Sequence, residues 1–397
     1  SKIMYKKIVF AFCGYLISYG LFAQNNEIEK VLQEVERNNK ELQAFSSLIE
    51  SKKLELSASN NLPDPQFGAF YLPLGEHSTG NYSEFQIFQT FEFPTVYSSR
   101  KSLIKNQQTQ LELEYNSKRQ AILLTAKKHC LELIYWDKKE TLEQKRVKQA
   151  KQVFNQLKEL YEKEAVGILD YNKAKVAWIQ EQFKVSQIEV EQKNLLLLLK
   201  NLNGNIALNY KQSDYSNSLS IAAIDSVWSK KKELDPEILL LQKEEDIALA
   251  NIKLNKQKSL PNLTAGFNYQ GVANSNYSGI YGGISIPLWS NRNKVKAAKA
   301  SYNFNQLNTN SQVLRFYSDF EKQHNEYDIL LSKFKEYQET LSGLNSDALL
   351  LKSYELGEIS FMEYYIELKF YQEATNVMVE MERQLHQQKA DMLKYQL

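Results

Sequence analysis

Hydrophobic and polar positions follow two periods along this chain, each in its own stretches. In residues 262–270 the apolar set is Leu263, Ala265, Phe267 and Tyr269, and Asn262, Thr264, Gly266, Asn268 and Gln270 fall between them. Such alternation predicts a strand with one apolar face. Residues 84–93 repeat it, with Phe85, Ile87, Phe91 and Phe93 against Glu84, Gln86, Thr90 and Glu92; Phe88 and Gln89 break the pattern. Ile280, Ile284, Ile286 and Leu288 alternate with Tyr281, Gly283 and Ser285, and residues 66–72 form a fourth, weaker case. Residues 75–81 and 271–278 are turn-rich and predict the loops of two β-hairpins.

Elsewhere the apolar positions step by three and four. Tyr171, Ala174, Trp178, Glu181, Val185, Ile188, Gln192, Leu195, Leu199 and Leu202 make one such seam. Adding 193 to each number gives Tyr364, Glu367, Tyr371, Ala374, Met378, Met381, Leu385, Gln388, Met392 and Tyr395. Seams sustained this long predict coiled-coil-like packing. Residues 95–163 hold no glycine or proline, and residues 291–356 hold only Gly343. At about 1.5 Å per residue, some 65 helical residues reach on the order of 100 Å. The expected fold class is therefore mainly α with a small β part: long antiparallel helical hairpins plus four strands per chain.

The shared offset marks an internal duplication, the feature to seek before any fold assignment. Leu62-Pro63 and Leu260-Pro261 lie 198 apart, as do Gly68 and Gly266, and Tyr71 and Tyr269. Beyond the hairpins the offset is 193: Phe93-Pro94 matches Ile286-Pro287, Tyr161-Glu162 matches Tyr354-Glu355, and Leu169-Asp170-Tyr171 matches Met362-Glu363-Tyr364. The shift of five falls inside the hairpins, where an insertion belongs. We expect a first repeat over 24–210, with a β-hairpin at 62–94 and a helical turn near 164–170. A linker over 211–235 follows. The second repeat covers 236–397, with a β-hairpin at 260–289 and a turn near 357–363. Each repeat opens with a helical segment, 27–61 or 237–259, stopped by Leu-Pro. Asp235-Pro236 reads as an N-cap and first-turn proline.

Lys6 and Lys7 precede an apolar run from Ile8 to Ala23, followed by Gln24 and Asn25. That is the layout of a secretory signal over 1–23, cut after Ala23, with Met4 as the initiator. The alternative, a membrane anchor, needs about 20 apolar residues. The net charge of +2 becomes −1 without Lys2, Lys6 and Lys7, and charges are interspersed. A nucleic-acid binder needs a basic stripe instead. Cys130 lies in an apolar helical stretch as a packed thiol, and His77, His129, His324 and His386 are scattered. No catalytic, phosphate-loop or zinc motif is present, so neither an enzyme, a cofactor nor a metal site is expected.

With these residues placed, the chain resembles the TolC family of outer-membrane efflux proteins. The likeness lies in Leu260-Pro261-Asn262-Leu263-Thr264-Ala265-Gly266-Phe267 as strand entry and in residues 282–289 as strand exit. The basic helix start at 291–294 and the turn Tyr354-Glu355-Leu356-Gly357-Glu358-Ile359-Ser360 add to it. The stretch Ile168-Leu169-Asp170-Tyr171-Asn172-Lys173-Ala174-Lys175 resembles the heavy-metal, CzcC-like branch, often paired with resistance-nodulation-division pumps. One departure is Glu164, where the family often has the glycine that Gly357 supplies in the second repeat; Gly167 is the nearby candidate to serve that turn.

The resemblance implies a homotrimer whose twelve strands form one barrel in outer-membrane lipid and whose helices form one periplasmic tunnel. It implies an adaptor protein and an inner-membrane pump as partners, and passive conduction in a Gram-negative envelope. Glu363 and Asp170 are then candidates for the periplasmic entrance, where a carboxylate ring selects cations. The bland reading of each is a surface acid favoured by a helix start. Val166, Gly167, Leu356 and Gly357 are candidates for adaptor docking. The competing reading is a periplasm-spanning coiled-coil protein without transport.

Overall fold

A computed structural model describes residues 27–73, 80–216, 218–273, 275–344 and 346–397. The expected signal over 1–23, His77 and most of the loop at 75–81 lie outside the described residues. In chain order the elements are α1 (Glu27–Asn38), α2 (Lys40–Ala58), β1 (Gln66–Leu72), β2 (Tyr82–Phe91), α3 (Pro94–Glu162), α4 (Ile168–Leu202) and α5 (Ile224–Leu234). There follow α6 (Pro236–Gln257), β3 (Asn262–Val272), β4 (Ser275–Ser285), α7 (Lys294–Ser342), α8 (Ser346–Glu355) and α9 (Phe361–Met392). The chain divides into two compact units, each drawing on both sequence repeats.

The first unit joins residues 41–122, 221–328 and 391–397 and carries the strands. Its sheet has the order β1-β2-β3-β4, every pair antiparallel. The register sorts the side chains. Phe67, Phe85, Phe267, Tyr269, Ile280 and Ile284 fall on one face, and Gln66, Glu84, Gln86, Thr264, Asn268 and Gln270 on the other. On the apolar face the Phe67, Phe85 and Tyr269 rings form a row, with centroids 6.4 and 6.1 Å apart. On the polar face Thr90 and Thr264 bridge their hydroxyls at 3.0 Å.

Both breaks in the β2 pattern have structural reasons. Phe88 stands opposite Gly266, where a Cβ would lie 2.5 Å from the Ile87 carbonyl oxygen and 2.7 Å from the Phe88 Cβ, so the two strands approach there more closely than any residue but glycine allows. The Gln89 amide donates to the Pro63 carbonyl at 2.5 Å. The expected loop at 271–278 is mostly strand: β3 runs to Val272 and β4 begins at Ser275. Backbone pairing carries polar residues into the ladder there, and Ala273 at φ 52° makes the turn. β4 also ends at Ser285, before Ile286 and Leu288, because Pro287 lacks an amide to donate.

Below the sheet, Val96, Leu103 and Leu254 pack together with Phe93, Ile247 and Ala250 against them. The Asp235 carboxylate accepts the Glu237 amide at 3.1 Å ahead of Pro236, the expected N-cap. Helix α5 forms within the segment 211–235.

The second unit joins residues up to Lys40 with 123–220 and 329–390, and it carries both helical turns. α1 buries Ile28, Val31, Leu32 and Val35, one stripe at helical spacing. The segment 27–61 is not one helix, because Asn39 interrupts it. The Asn39 side chain donates to the Leu202 carbonyl at the end of α4 (2.8 Å), and Asn38 donates to the Asn203 side chain (3.0 Å). Gly204, at φ 65°, closes this contact: a Cβ there would lie 2.3 Å from the Asn38 carbonyl oxygen.

The α4 seam holds, since Ala174, Glu181, Val185, Ile188, Leu195 and Leu199 are all buried. The α9 seam holds in part. Tyr364, Leu385, Met392 and Tyr395 are buried as expected, but Leu368, Gln372, Val379 and His386 are buried one position beyond Glu367, Tyr371, Met378 and Leu385. A helix packed on two sides of a bundle buries more than one seam. α7 and α8 are separate helices, with α7 ending at Ser342 just before Gly343. Cys130 is fully buried, and burial pushes its thiol up to about 12, which makes it inert.

Candidate functional site

The two helical turns come together in the second unit. Val153, Phe154 and Leu157 of α3, Ala174 of α4, and Phe361, Tyr364 and Leu368 of α9 form one buried cluster. Val166, Tyr354 and Ile359 of the turns and α8 pack against it. Phe154 stacks on Trp178 at 5.2 Å, Tyr161 on Tyr171 at 5.1 Å and Tyr354 on Tyr364 at 5.2 Å.

The turns share one backbone design. In the first, the Ala165 amide donates to Leu160 O (2.8 Å) and the Glu164 amide to Tyr161 O (2.9 Å). In the second, Glu358 donates to Ser353 O (2.9 Å) and Gly357 to Tyr354 O (3.0 Å). These are Schellman ends, each needing one left-handed residue. Gly357 supplies it at φ 75°, and Glu164 itself supplies it at φ 59°. Gly167 therefore does not serve the turn as expected. It precedes α4 as the N-cap, at an ordinary φ of −78°.

Glu363 sits in a capping box. Its carboxylate accepts the Ser360 amide at 2.8 Å, and its own amide donates to the Ser360 hydroxyl at 3.3 Å. The bond from the Ser360 main chain, then that from its side chain, holds the exposed carboxyl below the usual carboxylate range. The spacing Ser360-x-x-Glu363 was a legible signal for this role. Asp170 stands in the first turn of α4, about half exposed, with Lys173 at 4.0 Å. An open groove of about 690 Å³ runs between the turns, lined by Leu160, Lys163, Val166, Asp170, Tyr354 and Gly357 among others. Glu363 does not line it. Leu169 and Leu356 are 69% and 64% exposed, so the turns present apolar side chains outward.

Farther from the turns is a buried polar network that sequence reasoning missed. Arg146 of α3 donates to Glu143, to the Asn376 side chain (3.0 Å) and to the Gln372 main-chain carbonyl (3.1 Å) of α9. Glu181 of α4 accepts from Lys369 of α9 and from Lys184 at 3.2 Å. Arg146, Glu143 and Glu181 are all buried. Burial, then a hydrogen bond to Glu181, raises the Glu143 carboxyl above its usual range. Burial alone would raise Glu181 too, but the bond from Glu143 and the Lys369 and Lys184 charges outweigh it and hold Glu181 low. The available signal was a glutamate at a seam position.

Among the described residues no helix is long and apolar enough to cross a membrane. Against solved structures, the chain is similar to CusC (12% identity, TM-score 0.75), covering 93% of this chain and 91% of that one. It is also similar to the outer membrane protein VceC of Vibrio cholerae (11%, TM-score 0.73), covering 92% and 95%. The open-state MtrE outer membrane channel of Neisseria gonorrhoeae matches at 13% and TM-score 0.68, covering 93% and 88%. The chain has the outer-membrane channel fold. That is the fold the TolC resemblance led us to expect. No family model and no curated protein matches the sequence.

Proposed function

We propose that this chain is one protomer of a homotrimeric efflux duct in the outer membrane of a Gram-negative bacterium, extending into the periplasm. The observation that carries this reading is the sheet. It has one apolar face and one polar face, and β1 and β4 each leave an edge unpaired. Lipid does not tolerate an open edge, and four strands cannot close a barrel. Three copies give twelve strands, apolar side to lipid and polar side to water. The helices support association as well. Leu169, Val176, Ile179, Phe183, Val190 and Leu197 form an exposed stripe on α4 at coiled-coil spacing, a face suited to a neighbouring copy.

In this reading the duct conducts passively, and an inner-membrane pump supplies the energy through a periplasmic adaptor. The groove between the turns, with Val166 and Gly357 in its lining and Gly167 and Leu356 beside it, takes the adaptor's helical hairpin. Glu363 and Asp170 of three copies surround the periplasmic entrance, and opening is an untwisting of the hairpins at their turns. Assignment to the heavy-metal branch, and to a resistance-nodulation-division pump, rests on the 168–175 stretch.

The deciding experiment is the mass of the detergent-purified protein together with conductance in planar bilayers. A trimer that conducts supports the duct. A trimer without conductance leaves the structural coiled-coil reading. Glu363→Gln is the cleaner probe of the entrance, because it keeps an acceptor for the Ser360 amide while removing the charge. Unchanged conductance and ion preference in that variant would sink the entrance assignment. For docking, Gly357→Trp should block export at normal trimer abundance. Metal and drug susceptibility of a deletion strain separates the branches.

A further inference from the structure

The four strands contain one charged side chain, Glu84. It lies on the polar face, third in β2, and Phe91 ends that strand seven residues later. At about 3.3 Å per residue, Glu84 stands roughly 23 Å from the helix-bearing end of the strand, near the opposite mouth of the sheet.

Its carboxylate is held in place but not neutralised. Tyr82 Oη donates to Oε2 at 2.5 Å, and Asn268 Nδ2 donates to Oε1 at 3.1 Å. Directly across the two ladders stand Phe70 and Gln270, both uncharged. Among the described residues no lysine or arginine belongs to any of the strands. Two neutral donors fix the carboxylate and leave its full charge facing the polar side. A sheet otherwise free of charge has no packing need for this one, since glutamine could accept from Asn268 and donate to the Tyr82 hydroxyl in its place.

We propose that Glu84 sets the ion preference of the barrel: three copies form a ring of carboxylates near the outer mouth that favours cationic solutes over anionic ones. This rests on the trimeric duct proposed above. Twelve strands about 4.8 Å apart and tilted near 40° close a barrel roughly 24 Å across. Charges on such a wall act across the lumen only where screening is weak. The Debye length is about 30 Å at 0.01 M salt and about 3 Å at 1 M. The preference is therefore steep at low salt and absent at high salt, which separates a wide ring from a tight binding site.

The test is the reversal potential of single channels under a potassium chloride gradient, measured near 0.01 M and again near 1 M. At low salt the wild-type protein should prefer potassium, Glu84→Gln should lower that preference about threefold or more, and Glu84→Lys should invert it. Near 1 M all three should coincide. Gln270→Lys sets an ammonium group opposite an intact Glu84 and should reproduce the loss, so the outcome does not hang on one variant's folding. If Glu84→Gln and Gln270→Lys both conduct with wild-type preference at low salt, the proposal is wrong and the duct stands. If Glu363→Gln alone abolishes the preference, the entrance carries it and the proposal is likewise wrong. If the wild-type trimer does not conduct, the duct itself fails and this inference falls with it.

Discussion

Glu164 and Gly357, 193 residues apart, close the two helical hairpins in the same left-handed conformation, at φ 59° and 75°. An L-residue with a side chain pays for that conformation, by about 1 kcal/mol or somewhat more, and glycine does not. Glu164→Gly should therefore hold or raise stability, by up to about 1 kcal/mol, despite loosening the unfolded chain. Gly357→Ala should lower it by a similar amount, and for backbone reasons only, because a Cβ there meets nothing within 4 Å. Thermal unfolding followed by circular dichroism checks the pair. Opposite signs are expected, and equal losses would overturn the equivalence of the two turns.

The Arg146 guanidinium reaches from α3 to the main-chain carbonyl of Gln372 in α9, fixing the register of the two helices as well as pairing with Glu143. Arg146→Met leaves the buried Glu143 carboxyl and the Gln372 carbonyl without their shared donor, and a buried polar group left unsatisfied costs about 1–3 kcal/mol. The double variant Arg146→Met with Glu143→Gln should recover part of that loss. Double-mutant analysis should give a coupling of about 0.5–3 kcal/mol. Additive losses would show that the two groups act independently.

Strand existence and the α4 seam were legible in the sequence because each rests on a local period. What escaped were features set by a second element. Asn39 breaks a glycine-free and proline-free stretch because its side chain is drawn to the end of α4. The α9 seam blurs because neighbours on two sides bury it. The 271–278 stretch looked like a loop by composition, but ladder pairing with the partner strand overrides the weak strand preference of Asn and Ser. At the turns, the Ser360–Glu363 box was readable, while the choice of Glu164 over Gly167 was not. The 193 offset sets Glu164 at the Gly357 position, but a glutamate has no preference for the left-handed conformation and the nearby Gly167 does.

His386 is buried and stacked on Tyr215, with centroids 3.8 Å apart. Burial, then the Lys389 and Lys138 charges, pushes its imidazole down to about 4, against a weaker opposing pull from Asp214. The unfolded chain titrates near 6.5, so between about pH 6.5 and 4 it binds a proton that the folded chain refuses. Stability is therefore full above about pH 6.5 and falls as the pH drops to about 4, by on the order of 1–3 kcal/mol. His386→Phe keeps a ring on Tyr215 and should flatten this part of the stability profile. Melting temperatures measured from pH 7 to pH 4 check it. A variant that loses stability as steeply as the wild type would move the acid sensitivity to another group.

Among the sheet glycines, Gly266 has the least room. A Cβ there would lie 2.5 Å from the Ile87 carbonyl oxygen and 2.7 Å from the Phe88 Cβ, and the first of these is backbone. β2 and β3 would have to separate locally, at the one ladder that joins the two hairpins into a single sheet. Gly266→Ala should therefore impair assembly of the sheet more than its size suggests, and Gly266→Val more again. Truncating Phe88 to alanine removes the ring but not the Ile87 carbonyl, so adding it to Gly266→Ala should rescue little. The measurement is the folded, protease-resistant fraction after extraction in detergent. Gly68, whose added Cβ would meet only the flexible end of Gln86 at 3.1 Å, is the control. Gly68→Ala should assemble nearly as the wild type does. Equal defects at the two positions would mean that the sheet rejects any added side chain on its polar face, not the specific backbone clash.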